Sequence, residues 1–122
     1  MIRGIGTDII EIDRISRAIK KDYFLKRAFS DSEIVMAKER NKDIFLAGNF
    51  AVKEAFVKAL GIGFRGIGLK DLEVLRDKYG KPFIRICNPE NIHLMDINEK
   101  NIYVSISNTN SLAVAMVVIE VD

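Results

Sequence analysis

The segment that most restricts the fold is "LAVAMVVIEV", Leu112 to Val121, where apolar side chains occupy both alternating faces. A strand of this kind offers no face to water, so it must be central in its sheet or lie against another subunit. It follows "NIYVSIS" and the turn "NTNS", and together they predict a hairpin. A second hairpin is predicted upstream from "DLEVLRD", the turn "KYGK" and "PFIRIC", with Pro82 opening a strand where a missing donor is tolerated.

The first residues, "MIRGIGTDIIEI", also alternate, with Ile2, Gly4, Gly6, Asp8, Ile10 and Ile12 on one face. Asp8 thus projects from an apolar or bare surface. Gly4 and Gly6 leave room beside it for another backbone or a ligand. Taken alone, an ordinary bulged strand with a carboxylate at its rim is the simpler account.

Between these strands the period becomes helical. Asp13 can cap a helix that turns Ile15, Ala18 and Ile19 inward and leaves Arg14, Arg17 and Lys21 outside. "SDSE", Ser30 to Glu33, has the capping-box pattern and opens a second helix with Ile34 and Ala37 inward. A third runs from about Ile44 to Leu60 and ends at Gly61 as its C-cap. "NPENIHLMDINEKN" is compatible with a short helix with Pro89 in its first turn. Strand, three helices and two hairpins make an α+β fold, one domain over residues 1–122, with helices packed on one side of a mainly antiparallel sheet. The order of the strands stays open.

A chain of 122 residues with 48% hydrophobic content can bury one core. Cys87 and His93 are the single residues of their kinds, which excludes an intrachain disulfide and a soft-ligand zinc site within one chain. Any metal is therefore hard and oxygen-bound. The opening lacks the pattern of a signal peptide and no segment has membrane-spanning length, so a cytoplasmic protein without membrane contact is expected. A net charge of +2 does not indicate a nucleic-acid binder. Arg14 to Arg27 is nevertheless strongly basic, either a solvated face or a dock for an acidic partner. Tyr23, Phe24 and Phe29 are spaced for core packing rather than for stacking RNA bases.

On the third helix Ala47, Ala51, Glu54 and Lys58 form one stripe, while Val52, Phe56 and Leu60 lie on another face. Glu54 with Lys58 is by itself an ordinary helix pair worth ~0.2 to 0.5 kcal/mol. Taken in order, "GIGTDIIEIDRI", "FLAGNFAVKEAFVKALGIG" and "YVSISNTNSLAVAMVVIE" closely resemble the holo-acyl-carrier-protein synthase family of 4′-phosphopantetheinyl transferases, over nearly the whole chain. The resemblance implies transfer of 4′-phosphopantetheine from coenzyme A to a serine of apo acyl carrier protein, in support of fatty acid biosynthesis, with Mg²⁺ and release of adenosine 3′,5′-bisphosphate. It also implies Asp8 and Glu54 as metal-binding acids and Lys58 as the cation toward the pyrophosphate. Gly61, Gly63, Gly66 and Gly68, with Arg65, match its cofactor-facing loop. Arg14, Arg17 and Lys21 match its surface for the acidic carrier, and a homotrimer with sites at subunit boundaries is implied. Lys53 is read as a surface or structural residue ahead of a catalytic one. For the base that takes the serine proton, Glu54, a metal-activated water and a water held beside Asp8 are all open, with the metal-activated water preferred.

Two positions depart from the pattern. Asn49 and Tyr103 stand where family members often carry Arg and His, which implies weaker holding of the 3′-phosphate of coenzyme A and tighter binding in Asn49→Arg. Arg65 or a neighbouring subunit is the expected substitute. The rival functions are a non-catalytic nucleotide-binding module and a basic protein-interaction domain on the same fold.

Overall fold

In the computed structural model, which describes residues 1–122, β1 (Ile2–Glu11) pairs antiparallel with β5 (Leu112–Glu120). The other edge of β5 pairs antiparallel with β4 (Ile102–Asn108), so the strand with no polar face is the central one. β2 (Leu72–Arg76) and β3 (Pro82–Ile86) form a separate two-stranded antiparallel sheet. Their turn closes at Gly80 with φ 85°, a conformation that costs glycine little.

Four helices are present where periodicity suggests three. α1 (Ile12–Ala18) and α2 (Asp22–Ala28) are separate turns of the basic stretch. No glycine or proline marks their boundary. What fixes α2 is tertiary: Phe24 meets the ring of Phe29 edge-on at 6.4 Å and packs against Phe50. Asp13 is not the cap of α1, which begins at Ile12 with Glu11 in the N-cap position; Asp13 lies in the first turn. Tyr23 is not core either, being 65% exposed, whereas Phe29 is buried. α3 (Asp31–Lys38) opens with the capping box of Ser30 and Glu33, as its sequence indicates. The segment from Asn88 to Asn98 forms turns rather than a helix, with one 3₁₀ turn following at Glu99–Asn101.

α4 (Lys42–Leu60) is the axis of the molecule. Asn41 caps its start by accepting from the Ile44 amide at 3.2 Å. At its end Gly61 adopts the left-handed conformation at φ 78°, and its amide is shared between the carbonyls of Val57 and Lys58. α4 lies across the face of the sheet formed by Ile10, Ala113, Ala115, Val117 and Ile119, all buried. This is the one-sided packing that the alternation of β1 and β5 requires.

Gly4 and Gly6 set how close that packing is. A methyl at Gly4 would collide with the carbonyl oxygen of Ala59, and one at Gly6 with that of Ala55. The missing side chains therefore admit the helix backbone itself. Gly6→Ala is expected to destabilise the fold by about 3 kcal/mol, the upper range for overpacking, because the obstacle is main chain that cannot rotate away. Urea unfolding measures this, and a loss under about 1 kcal/mol would show that β1 can slide off α4 without strain.

Not all of the interior is apolar. Lys53, Asn49 and Glu33 are fully buried and joined to one another. Lys53 Nζ donates to Glu33 Oε1 at 2.7 Å and to the carbonyl of Ala28 at 2.8 Å. Asn49 Nδ2 donates to Glu33 Oε2 and to the carbonyl of Val74, both at 2.9 Å. The amides of Ser30 and Val74 also donate to Glu33. One carboxylate thereby ties α3, α4 and β2 together, and no buried side-chain polar atom is left without a partner.

Candidate active site

The close approach of β1 to α4 has a chemical consequence. Asp8 follows Gly4 and Gly6 on the same face of β1, at the point where the strand passes Glu54. Both carboxylates line one cleft of about 460 Å³, together with Arg14, Ile15, Phe24 and Phe50. Phe24 packs against the core, as its spacing indicates, and with Phe50 it also forms the greasy wall of this cleft. The sequence alone showed no sign of that, because a half-buried aromatic has the same spacing as a buried one.

Charge in the cleft is arranged unevenly. Burial, and next the negative charge of Asp8, raise the affinity of Glu54 for a proton; Lys58 and Arg14 oppose this. Lys58 Nζ donates to the carbonyl of Thr7 at 3.0 Å and reaches Asp8 Oδ1 at 3.4 Å. With Lys58 57% exposed, that ion pair is a weak one, and the ammonium is free to turn toward an incoming anion. Two carboxylates forced together in a half-dry cleft favour a cation between them. No third acid, histidine or cysteine joins them. This donor set suits Mg²⁺, which typically takes one or two carboxylates and completes its shell with water and phosphate oxygens.

Gly61, Gly63 and Arg65 lie just beyond the end of α4, where with Ile62 and His93 they line an open cleft of about 500 Å³. Gly61, Gly63 and Gly66 all have positive φ, so the loop's glycines serve its shape. Of the three basic residues, Arg14 faces the carboxylate cleft, while Arg17 and Lys21 are exposed outside it. Lys53 shares neither cleft: the surface alternative fails and the structural one holds.

Asn49 is also remote from any surface, with no exposure. Its amide is consumed by Glu33 and Val74, and its Oδ1 accepts from Arg76 at 3.0 Å. Arg76 thus brings positive charge to this end of α4, and Asn49→Arg would report on packing rather than on ligand affinity. Tyr103 lies half exposed on the outer face of β4, where Glu120 holds its phenol above the ordinary value.

The chain is similar to known proteins over nearly its whole length. Residues 4–117 match the sequence profile of the 4′-phosphopantetheinyl transferase superfamily. A holo-[acyl-carrier-protein] synthase of Clostridium botulinum (strain Eklund 17B / Type B) is 50% identical over 123 residues, covering 99% of both chains. A crystal structure of a holo-(acyl-carrier-protein) synthase from Bacillus anthracis str. Ames, in complex with CoA (3′,5′-ADP), superposes with a TM-score of 0.83 at 36% identity, covering 100% of this chain and 99% of that one. The Helicobacter pylori holo-[acyl-carrier-protein] synthase in complex with coenzyme A gives 0.83 at 35% identity, covering 95% and 99%. Carboxylates, lysine and glycine loop thus occur in a chain related over its length to these synthases, and the chain belongs to the holo-[acyl-carrier-protein] synthase family of 4′-phosphopantetheinyl transferases.

Proposed function

We propose that this enzyme transfers the 4′-phosphopantetheine group of coenzyme A to a serine hydroxyl of an acidic apo acyl carrier protein, with Mg²⁺, in support of fatty acid biosynthesis. The observation that carries this reading is the meeting of Asp8 and Glu54 in one cleft with the Lys58 ammonium at its edge. The serine oxygen forms a bond to the phosphorus that bears the pantetheine arm. The phosphorus–oxygen bond within the pyrophosphate breaks, and adenosine 3′,5′-bisphosphate leaves with the electron pair. Asp8 and Glu54 would hold Mg²⁺, which supplies charge neutralisation to the pyrophosphate when bound. Lys58 orients the pyrophosphate and meets the negative charge of the departing phosphate. The serine proton passes into the carboxylate cleft, where Glu54 and a water held beside Asp8 are the available acceptors. Gly61, Gly63 and Arg65 offer backbone amides and a guanidinium to the rest of the donor.

Incubation of the protein with coenzyme A, Mg²⁺ and apo carrier tests the reading by the mass of the carrier. Gain of one phosphopantetheinyl group supports it; nucleotide binding without modification supports a binding module instead.

Docking of the carrier is assigned to Arg14, Arg17 and Lys21. Because Arg14 also faces the carboxylates, Arg17→Glu and Lys21→Glu isolate the docking role. Each should raise KM for the carrier by about three- to tenfold, with less change in KM for coenzyme A and a weaker effect at high salt. Equal shifts in both constants would remove that role. The sheet face opposite α4 carries exposed Ile5, Ile9, Val114 and Met116, with Ile9 and Val114 directly paired. An apolar surface of that kind suits the homotrimer, with sites completed at subunit boundaries, and light scattering at three chain masses is the expected result.

A further inference from the structure

The loop of residues 61–68, which carries Arg65, has little of its own to hold it. Gly61, Gly63 and Gly66 take left-handed φ of 78°, 64° and 80°, and Ile67 is the only buried side chain. Over residues 62–67 the main chain makes no hydrogen bond to other main chain. A stretch so rich in glycine loses much conformational freedom on being ordered, so a ligand that had to order it would bind less tightly.

Order comes instead from two side chains outside the loop. Asn91, 25 residues away, donates through Nδ2 to the Gly66 carbonyl at 2.6 Å. The same Nδ2 reaches Asp71 Oδ2 at 3.3 Å, and that oxygen also accepts from the Gly68 amide at 2.9 Å. Asn88 Nδ2 donates to the other Asp71 oxygen at 3.3 Å. Asn91 Oδ1 accepts from the His93 amide at 2.9 Å. The His93 ring then lies against the bare Cα of Gly66, where a methyl would come within 3.0 Å of Nε2. Gly66 and Gly68 are thus both gripped. Arg65 directly precedes the gripped carbonyl, and it lines one cleft with His93.

We propose that Asn91 and Asp71 are positioning residues for the donor, a clasp that holds the glycine loop and Arg65 in the shape that receives coenzyme A. This rests on coenzyme A being the donor and on the loop facing it. The clasp touches no reacting atom; it acts by ordering the loop before the donor arrives, so its effect belongs to donor affinity and not to the chemical step or to carrier docking.

Kinetics and limited proteolysis together test the clasp. Asn91→Ala should raise KM for coenzyme A by about five- to tenfold, the size of one or two hydrogen bonds, with KM for the carrier and kcat at saturating coenzyme A within about twofold of native. Asn91→Asp keeps the shape, loses the donor and sets a second carboxylate against Asp71, so its rise should be at least as large. Asp71→Asn, which turns an acceptor into a donor facing donors, should raise the same constant by about threefold or more. Trypsin cuts after Arg65, and in both Asn91 variants that cut should come about fivefold faster or more, slowed by added coenzyme A, while cuts elsewhere keep native rates. Unchanged KM for coenzyme A in both Asn91 variants, equal rises in the two KM values, or native cleavage after Arg65 overturns the proposal. Should Asp71→Asn fail to fold, the Asn91 variants decide alone. A native protein that transfers nothing from coenzyme A refutes the transferase reading, and cleavage after Arg65 still decides whether Asn91 holds the loop.

Discussion

Asp8→Asn and Glu54→Gln should each lower kcat/KM for phosphopantetheine transfer by about 10³-fold or more while leaving the fold intact. The size follows from what is removed, since each substitution deletes one of only two negative charges available to hold a divalent ion against the pyrophosphate. Residual activity should need far more Mg²⁺ for half-saturation, which separates a metal role from a purely steric one. Stability should move the other way. Glu54 has a raised proton affinity in the folded chain, so its ionised form is held at a cost, and that cost is imposed as pH rises through the raised pKa. Replacing it with glutamine removes both the desolvated charge and the repulsion from Asp8, so Tm at neutral pH should be no lower than in the native protein. Asp8→Asn loses only a long ion pair to a half-exposed lysine, which contributes little. A variant that keeps native kcat/KM at limiting Mg²⁺ would exclude its residue from the metal site. A variant that loses activity together with its fold would transfer the residue to the structural class.

What could be read before the structure depended on whether a residue's partner was set by local period or by distant packing. The glycines at 4 and 6 were legible as an invitation to close approach because their spacing places them on the face of Asp8. Only the three-dimensional arrangement shows that the guest is the backbone of α4 at Ala55 and Ala59. The central place of β5 was one of two readings of its lack of a polar face; it is central, yet Val114 and Met116 on its outer face stay exposed, so pairing at both edges does not cover that face. Separation of the β2–β3 hairpin from the main sheet did not follow, because alternation describes a strand's faces and not its edge partners. Glu33 is the sharper case. As the last residue of a capping box it already had a local role, so nothing in "SDSE" suggested that the same carboxylate also receives Lys53, Asn49 and Val74. Lys53 was ambiguous for a related reason: α4 is buried around most of its circumference, and helical period cannot mark an outside where there is hardly any.

Lys53→Met is therefore expected to have the largest effect on stability, a loss of about 3–5 kcal/mol, although the side chain is replaced by one of similar length. The loss comes less from the missing pair than from what remains. Glu33 would stay buried with its amide donors and no counter-ion, in a site with no access to water. The double variant Lys53→Met/Glu33→Gln should recover a large part of the loss, because an uncharged amide in place of the carboxylate removes the orphaned charge, although Gln cannot reproduce every hydrogen bond of Glu33. Titration gives a second signature. Burial outweighs the pull of Glu33 and lowers the pKa of Lys53 below its ordinary 10.5. Between that lowered value and 10.5 the unfolded chain binds a proton here that the folded chain does not, so this residue makes stability rise with pH through that window and fall as pH drops through the folded value. Lys53→Met lacks the contribution, and its deficit against the native protein should widen as pH is raised toward 10.5. Urea unfolding of the native, single and double variants across that range measures both effects. A single-variant loss under about 1 kcal/mol, or a double variant no better than the single, would show that Glu33 finds water or another partner. The ion pair would then not be what fastens α3 to α4.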